Sequence, residues 1–142
     1  MTDQPPPAVD PTPTEPGTQP GPDRTILVAE DEHVTARLIE VQLQRAGYRV
    51  AIASNGLQAL RLLFTEKPLL LLLDLQMPLL SGFDVLNRLK DMAPPRPKVI
   101  VLSAESDSVD VKKALTLGAN DYMVKPFNAQ DLLTRVKRQL GE

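Results

Sequence analysis

Five polar side chains sit directly behind, or close, short apolar runs of this sequence. Glu30 and Asp31 follow "TILVA", Asp74 follows "LLLLL", Ser103 ends "KVIVLS" and Lys125 follows "DYMV". Brought together, three carboxylates, a hydroxyl and an ammonium define a chemistry. The carboxylates repel, because two unit charges about 5 Å apart cost roughly 3 kcal/mol at an effective dielectric near 20. Three are tenable only beside a cation, which Lys125 supplies in part and a divalent metal would supply more fully. All the donors are hard oxygens. The chain has no cysteine and a single histidine, His33, so Mg2+ or Mn2+ fits and Zn2+ does not. Such a group suits a carboxylate nucleophile that attacks phosphorus. Cations then offset the charge of the phosphoryl oxygens, and Lys125 and the Ser103 hydroxyl are placed to hold them.

Each residue also has a plainer reading. Asp74 alone is an ordinary turn residue after a strand. Glu30 and Asp31 complement the dipole of the next helix. Lys125 is a solvated lysine, Ser103 a turn hydroxyl, and Tyr122 half-buried packing. His33 reads best as a solvated first-turn residue. The occurrence of the charged and hydroxyl groups at four of the five strand ends, with strand 2 ending instead in Ser54 and Asn55, favours chemistry over these separate explanations.

The elements that position them follow from pattern. "TILVA" (Thr25–Ala29) is a short β-rich run, and residues 32–46 carry Val34, Leu38 and Val41 at helical spacing up to Gly47. "YRVAIA" (48–53) alternates like a half-buried strand, and "SNG" opens a second helix with Leu57, Leu60 and Leu63 on one face. Leucine favours helices. Even so, Pro68 and Pro78 fence the leucine run to strand length, and a continuous short apolar run describes a strand covered on both faces. Ser81 caps a helix bearing Phe83, Leu86 and Leu89, and "PPRP" (94–97) leads into the buried run "KVIVLS" (98–103). A fourth helix over 107–117 stops at Gly118. "DYMV" (121–124) is the fifth strand, and Asn128 with Asp131 caps a last helix carrying Leu132, Val136 and Leu140. Strand and helix thus alternate five times. That pattern predicts an α/β, (βα)5 doubly wound three-layer sandwich with a five-stranded parallel sheet. Such folds bind ligands at the carboxyl ends of their strands, where all five side chains lie.

Composition sets the limits. Residues 1–23 hold eight of the 14 prolines and four acids, with no basic or aromatic residue. They read as a disordered Pro-rich tail, partly polyproline II, before a folded domain over 24–142. "PPP" and "PTPTEP" are weak signals for an SH3-like partner. Outside the tail, 16 basic residues face 14 acidic ones, and no basic stripe argues for direct nucleic-acid contact. No apolar run approaches the roughly 18–20 residues of a membrane span. No signal pattern opens the chain, so the expected location is cytoplasmic.

The runs "ILVAEDE", "LLLLLDLQMPLLSGFDVL", "VIVLSA" and "GANDYMVKPF", in that order, resemble the receiver domain of two-component response regulators, the CheY-like superfamily. The resemblance covers about residues 24–140. It implies a flavodoxin-like fold with strand order 2-1-3-4-5. It implies that Asp74 is the phosphoacceptor, taking a phosphoryl group from a phosphohistidine of a sensor histidine kinase or histidine phosphotransfer protein. Glu30 and Asp31 would help bind Mg2+ (Mn2+ as an alternative) together with Asp74 and the Gln76 backbone carbonyl. Lys125 and Ser103 would contact the phosphoryl group, with Ser103 and Tyr122 as the switch pair. Pro78 and Gly82 would shape the loop beside the site, the Lys125–Pro126 bond would be cis, and Gln76 and Glu105 would tune phosphoryl lifetime. One residue departs: the acidic pair is usually two aspartates, and the extra methylene of Glu30 bears on metal geometry.

The leading expectation is therefore a phosphorylatable signalling switch, whose only chemistry is its own phosphoryl transfer and autodephosphorylation. It meets an unidentified downstream protein, with homodimerisation through helix 4, strand 5 and helix 5 as a further option. The chain stops at Glu142, right after the last helix, and no effector domain is visible. A stand-alone receiver and a regulator cut from a longer chain both fit. A phosphorylation-independent interaction module is the alternative. An aspartate-nucleophile phosphatase of the haloacid-dehalogenase kind is disfavoured, because the acid two residues beyond the nucleophile is replaced by Gln76.

Overall fold

The computed structural model describes residues 24–104 and 108–142. The Pro-rich segment 1–23, Glu105 and the expected first residue of the fourth helix lie outside the described residues. The chain alternates β1 (Thr25–Ala29), α1 (His33–Arg45), β2 (Arg49–Ala53), α2 (Gly56–Glu66), β3 (Leu70–Asp74), α3 (Gly82–Leu89), β4 (Lys98–Ser103), α4 (Ser108–Thr116), β5 (Asp121–Val124) and α5 (Ala129–Leu140). The strands form one parallel sheet in the order β2-β1-β3-β4-β5. This is the doubly wound (βα)5 sandwich that the alternation predicts.

The leucine run is the middle strand. Leu70 to Leu73 are fully buried, paired with β1 on one side and β4 on the other. Their side chains alternate between two cores, as strand geometry requires. Leu71 and Leu73 join Leu27, Ala29, Val99 and Val101 beneath α2, α3 and α4. Leu70 and Leu72 join Ile26, Val28, Ile100, Leu102 and Met123 beneath α1 and α5. The same alternation sends Glu30, Asp74 and Lys125, the next in-phase residues of β1, β3 and β5, to the α1/α5 side.

Capping chemistry sets where the helices begin. The Ser81 hydroxyl accepts from the Asp84 N–H at 3.2 Å while the Asp84 carboxylate accepts from the Ser81 N–H at 3.2 Å, a reciprocal box at the start of α3. Asn55 Oδ1 accepts from the Gln58 N–H at 2.8 Å and Asn128 Oδ1 from the Asp131 N–H at 2.7 Å. In α5 the Asp131 carboxylate does not return to the cap, because Arg135 Nε engages it at 3.2 Å.

On α1 the buried stripe differs from the one the leucine and valine spacing predicts, and on α2 a single residue of the expected stripe falls outside the core. On α1 the buried residues are Ala36, Ile39 and Leu43, whereas Val34 and Leu38 are 68% and 60% exposed. On α2 Leu63 is buried and Leu60 packs against the core as the spacing predicts, while Leu57 faces outward and Ala59 is buried. On α1 two apolar stripes satisfy the same spacing, and packing on the sheet chooses between them.

Candidate functional site

The ladder carries the site residues to a common edge. Ala29 pairs with Leu73, Asp74 with Leu102 and Ser103 with Val124. Beyond these pairs the Glu30 N–H donates to the Ala53 carbonyl at 2.9 Å, the Leu75 N–H to Leu102 at 3.1 Å and the Lys125 N–H to Ser103 at 2.7 Å. The backbone is thus held in register one residue past the strands, where the functional side chains begin.

Glu30 is buried. Its Oε2 accepts from the Glu32 N–H at 3.1 Å, and its Oε1 lies 2.6 Å from Lys125 Nζ. That contact is a close ion pair, and among the described residues Oε1 has no further hydrogen-bond donor. Asp74 is 3% exposed. Its Oδ1 accepts from the Gln76 N–H at 2.9 Å and its Oδ2 from Lys125 Nζ at 3.3 Å. Asp31 is exposed, and one oxygen from each of Glu30, Asp31 and Asp74 lies within 4.8 Å of the others. The Lys125 ammonium therefore pairs with two of these three carboxylates.

Protonation follows from this crowding. Burial pushes the Asp74 carboxyl up to about 6. The Gln76 N–H works against that rise, the Glu30 charge adds to it, and the Lys125 ammonium opposes it. For Lys125, burial acts to lower the pKa, but the Glu30 and Asp74 carboxylates outweigh it and leave the group above the ordinary lysine value.

The remaining residues frame the edge. Ser103 is 7% exposed at the end of β4. Tyr122 pairs with Val101 on the adjacent strand, so it shares with Ser103 the sheet face covered by α4, and it is 38% exposed. The Lys125–Pro126 bond is cis. In the loop after β3, the Pro78 carbonyl accepts from the Gly56 N–H at 3.4 Å and the Leu75 carbonyl from the Gly82 N–H at 3.1 Å. A Cβ on Gly82 would lie 2.7 Å from the Asp74 carbonyl oxygen, and one on Gly56 2.2 Å from the Leu80 carbonyl oxygen. Leu79 takes a left-handed φ of 72° between these anchors, a conformation that side chains with a Cβ rarely adopt. Sequence reasoning identified Gly82 but missed Gly56, because its partner Leu80 is remote in the chain. His33 is exposed and begins α1.

An apolar groove of about 510 Å³ opens beside Lys125, between α1 and the start of α5. Leu38, Ile39, Phe127 and Leu132 line it. Glu32, Lys125 and Pro126 also line it, so it adjoins the carboxylate cluster.

Comparison with known proteins agrees with this fold. Residues 26–137 match the family model of the response regulator receiver domain. The alkaline phosphatase synthesis transcriptional regulatory protein PhoP of Bacillus subtilis is 40% identical over 114 residues, which is 80% of this chain and 47% of that protein. The chain spans about half the length of the curated relatives it matches. Among solved structures, the signal receiver domain of a response regulator from Bermanella marisrubri is 38% identical with a TM-score of 0.77, covering 83% of this chain and 98% of that one. The receiver domain of a Pseudomonas aeruginosa sensor histidine kinase, solved with a magnesium ion coordinated in its active-site cleft, is 30% identical with a TM-score of 0.77, over 84% and 99% of the two chains. The chain belongs to the response regulator receiver domain family.

Proposed function

We propose that Asp74 is the phosphoacceptor of this receiver and takes its phosphoryl group from a phosphohistidine of a histidine kinase or phosphotransfer protein. The observation that carries this reading is the Asp74 carboxylate itself, buried at the sheet edge between Glu30 and Lys125. An Asp74 oxygen attacks phosphorus, the phosphorus–nitrogen bond breaks and the imidazole leaves, giving an acyl phosphate on Asp74. The groove between α1 and α5 receives apolar side chains of the donor protein.

The site fits a divalent cation. Three carboxylates converge, and the Lys125 ammonium, 2.6 Å from buried Glu30 Oε1 and 3.3 Å from Asp74 Oδ2, offsets their charge only in part. Glu30, Asp31, Asp74 and the Gln76 backbone carbonyl would hold Mg2+, with Mn2+ as an equally hard substitute. When bound, the ion supplies positive charge that offsets the carboxylates and the incoming phosphoryl oxygens. Lys125 Nζ swings from the carboxylates to a phosphoryl oxygen. Ser103 donates its hydroxyl to another and couples that movement to Tyr122. The loop shaped by Pro78 and Gly82, and the turn at Pro126, keep these groups in place.

The output is a changed protein-contact surface rather than turnover of a substrate. The face formed by α4, β5 and α5 carries exposed Val109, Leu115 and Tyr122 and suits a target protein or a second copy. The output module is either a separate protein or a DNA-binding part of a longer regulator, as the transcriptional names of the relatives favour. A cytoplasmic setting goes with this reading, and no helix among the described residues is long and apolar enough to cross a membrane. The test is incubation with Mg2+ and phosphoramidate, followed by intact mass. Wild type gains one phosphoryl group and Asp74→Asn gains none. Equal labelling of the two proteins would overturn the assignment.

A further inference from the structure

A second groove lies at the opposite edge of the sheet from Asp74. It has a volume of about 400 Å³ and runs between the end of α2, the residues before β3 and the loop between α3 and β4. Phe64, 63% exposed, and Leu69, 39% exposed, form one apolar wall. Met92 and Pro95 form the other, and Lys67 and Arg96 are the charged lining residues, with no carboxylate among them. Arg96 Nε donates to the Met92 carbonyl at 2.8 Å, which fixes the second wall. Nothing in the phosphoryl chemistry uses this surface.

The segment that matches it is carried by the same chain. Residues 1–23 contain eight prolines and four acids, with no basic residue. They lead into Arg24, next to Thr25, whose carbonyl accepts from the N–H of groove residue Leu69 at 2.8 Å. The chain therefore enters the fold at the groove's edge. Eight residues of polyproline II reach roughly 25 Å, enough to bring "PTPTEP" (11–16) from Arg24 across the groove. Proline rings suit an apolar trough, and a pre-extended segment loses little entropy on docking. The acids of the segment, Asp10 and Glu15 among them, are opposite in charge to Lys67 and Arg96.

We propose that the acidic Pro-rich segment of residues 1–23 docks in cis into the groove lined by Phe64, Leu69, Met92 and Pro95, with Lys67 and Arg96 pairing its carboxylates. Because the groove and Asp74 lie at opposite sheet edges, the docked segment marks a second interaction surface, separate from the phosphorylated one.

The absence of cysteine makes the test direct. A nitroxide is placed on the full chain through Thr18→Cys, and amide intensities are read by NMR. Docking predicts intensity loss over residues 63–69 and 92–98. The loss disappears in Lys67→Glu/Arg96→Glu, and high salt reduces it. Phe64→Ser, a change at an exposed position, weakens it independently of charge. Loss absent from these residues, or concentrated at the Asp74 edge, overturns the proposal. So does loss that appears when spin-labelled chains are mixed with isotope-labelled chains carrying no nitroxide, because a second copy would then be the occupant.

Discussion

Asp74 carries the account at the scale of single residues. Its folded pKa of about 6 lies above the ordinary aspartate value, so between about pH 4 and 6 the folded chain binds more protons than the unfolded one. Stability in chelator then falls as pH rises through that window, because above it a buried carboxylate is ionised. Asp74→Asn removes this burden. At pH 7.5 without metal it is expected to raise the unfolding free energy by about 2–3 kcal/mol, and near pH 4 to change it little. Urea denaturation at the two pH values checks both arms. Ser103 gives a second residue-level prediction. Ser103→Ala leaves phosphorylation of Asp74 intact but shrinks the amide shift changes that phosphorylation produces around Tyr122. Unchanged shifts would remove Ser103 from the switch.

Elements decide how firmly these residues are held, and Gly82 is where α3 meets β3. With a Cβ it would press on the Asp74 carbonyl oxygen and on Leu75 Cα, both at 2.7 Å, and backbone does not yield as a side chain does. Gly82→Ala is expected to cost about 1–3 kcal/mol in thermal or urea unfolding and to slow phosphorylation of Asp74. A variant that unfolds and labels like wild type would show that the contact relaxes. This scale also separates what is legible in the sequence from what is not. The strands are legible because a strand buried on both faces must be apolar throughout, so the next polar residue marks the sheet edge. Asp74 is found this way despite the helical preference of the leucines before it. The buried stripe of α1 is not legible. Val34, Leu38 and Val41 satisfy helical spacing as well as Ala36, Ile39 and Leu43 do, and only the strand beneath distinguishes them. Gly56 is silent for a similar reason, since its tight neighbour Leu80 belongs to another loop. The double engagement of Glu30, with the Glu32 N–H and with Lys125, needs the three-dimensional path of β5.

The whole molecule is closed by contacts that no local pattern announces. Tyr48 donates its hydroxyl to Glu142 Oε1 at 2.7 Å, Arg24 bonds the same carboxylate at 3.0 Å, and its guanidinium lies 4.7 Å from the Tyr48 ring centre. The residue before β1, the residue before β2 and the second residue after α5 are thereby joined. Burial, and then the Glu142 carboxylate, push the Tyr48 phenol up to about 12. A raised phenol pKa means that the stability due to its neutral form is present below about pH 10 and is lost as pH rises toward 12. An ultraviolet titration should show one tyrosine ionising near pH 12. In Glu142→Gln that midpoint should drop while staying above the ordinary value, since burial, the larger cause, remains. A midpoint unmoved by the substitution would detach Glu142 from Tyr48. At the opposite edge of the same sheet the account rests on the acyl phosphate itself. The most direct measurement is to phosphorylate the protein with Mg2+ and phosphoramidate, reduce it with borohydride and map the product by peptide mass. The account predicts homoserine at position 74 and at no other carboxylate. Homoserine elsewhere, or none while the protein is demonstrably folded, would contradict it.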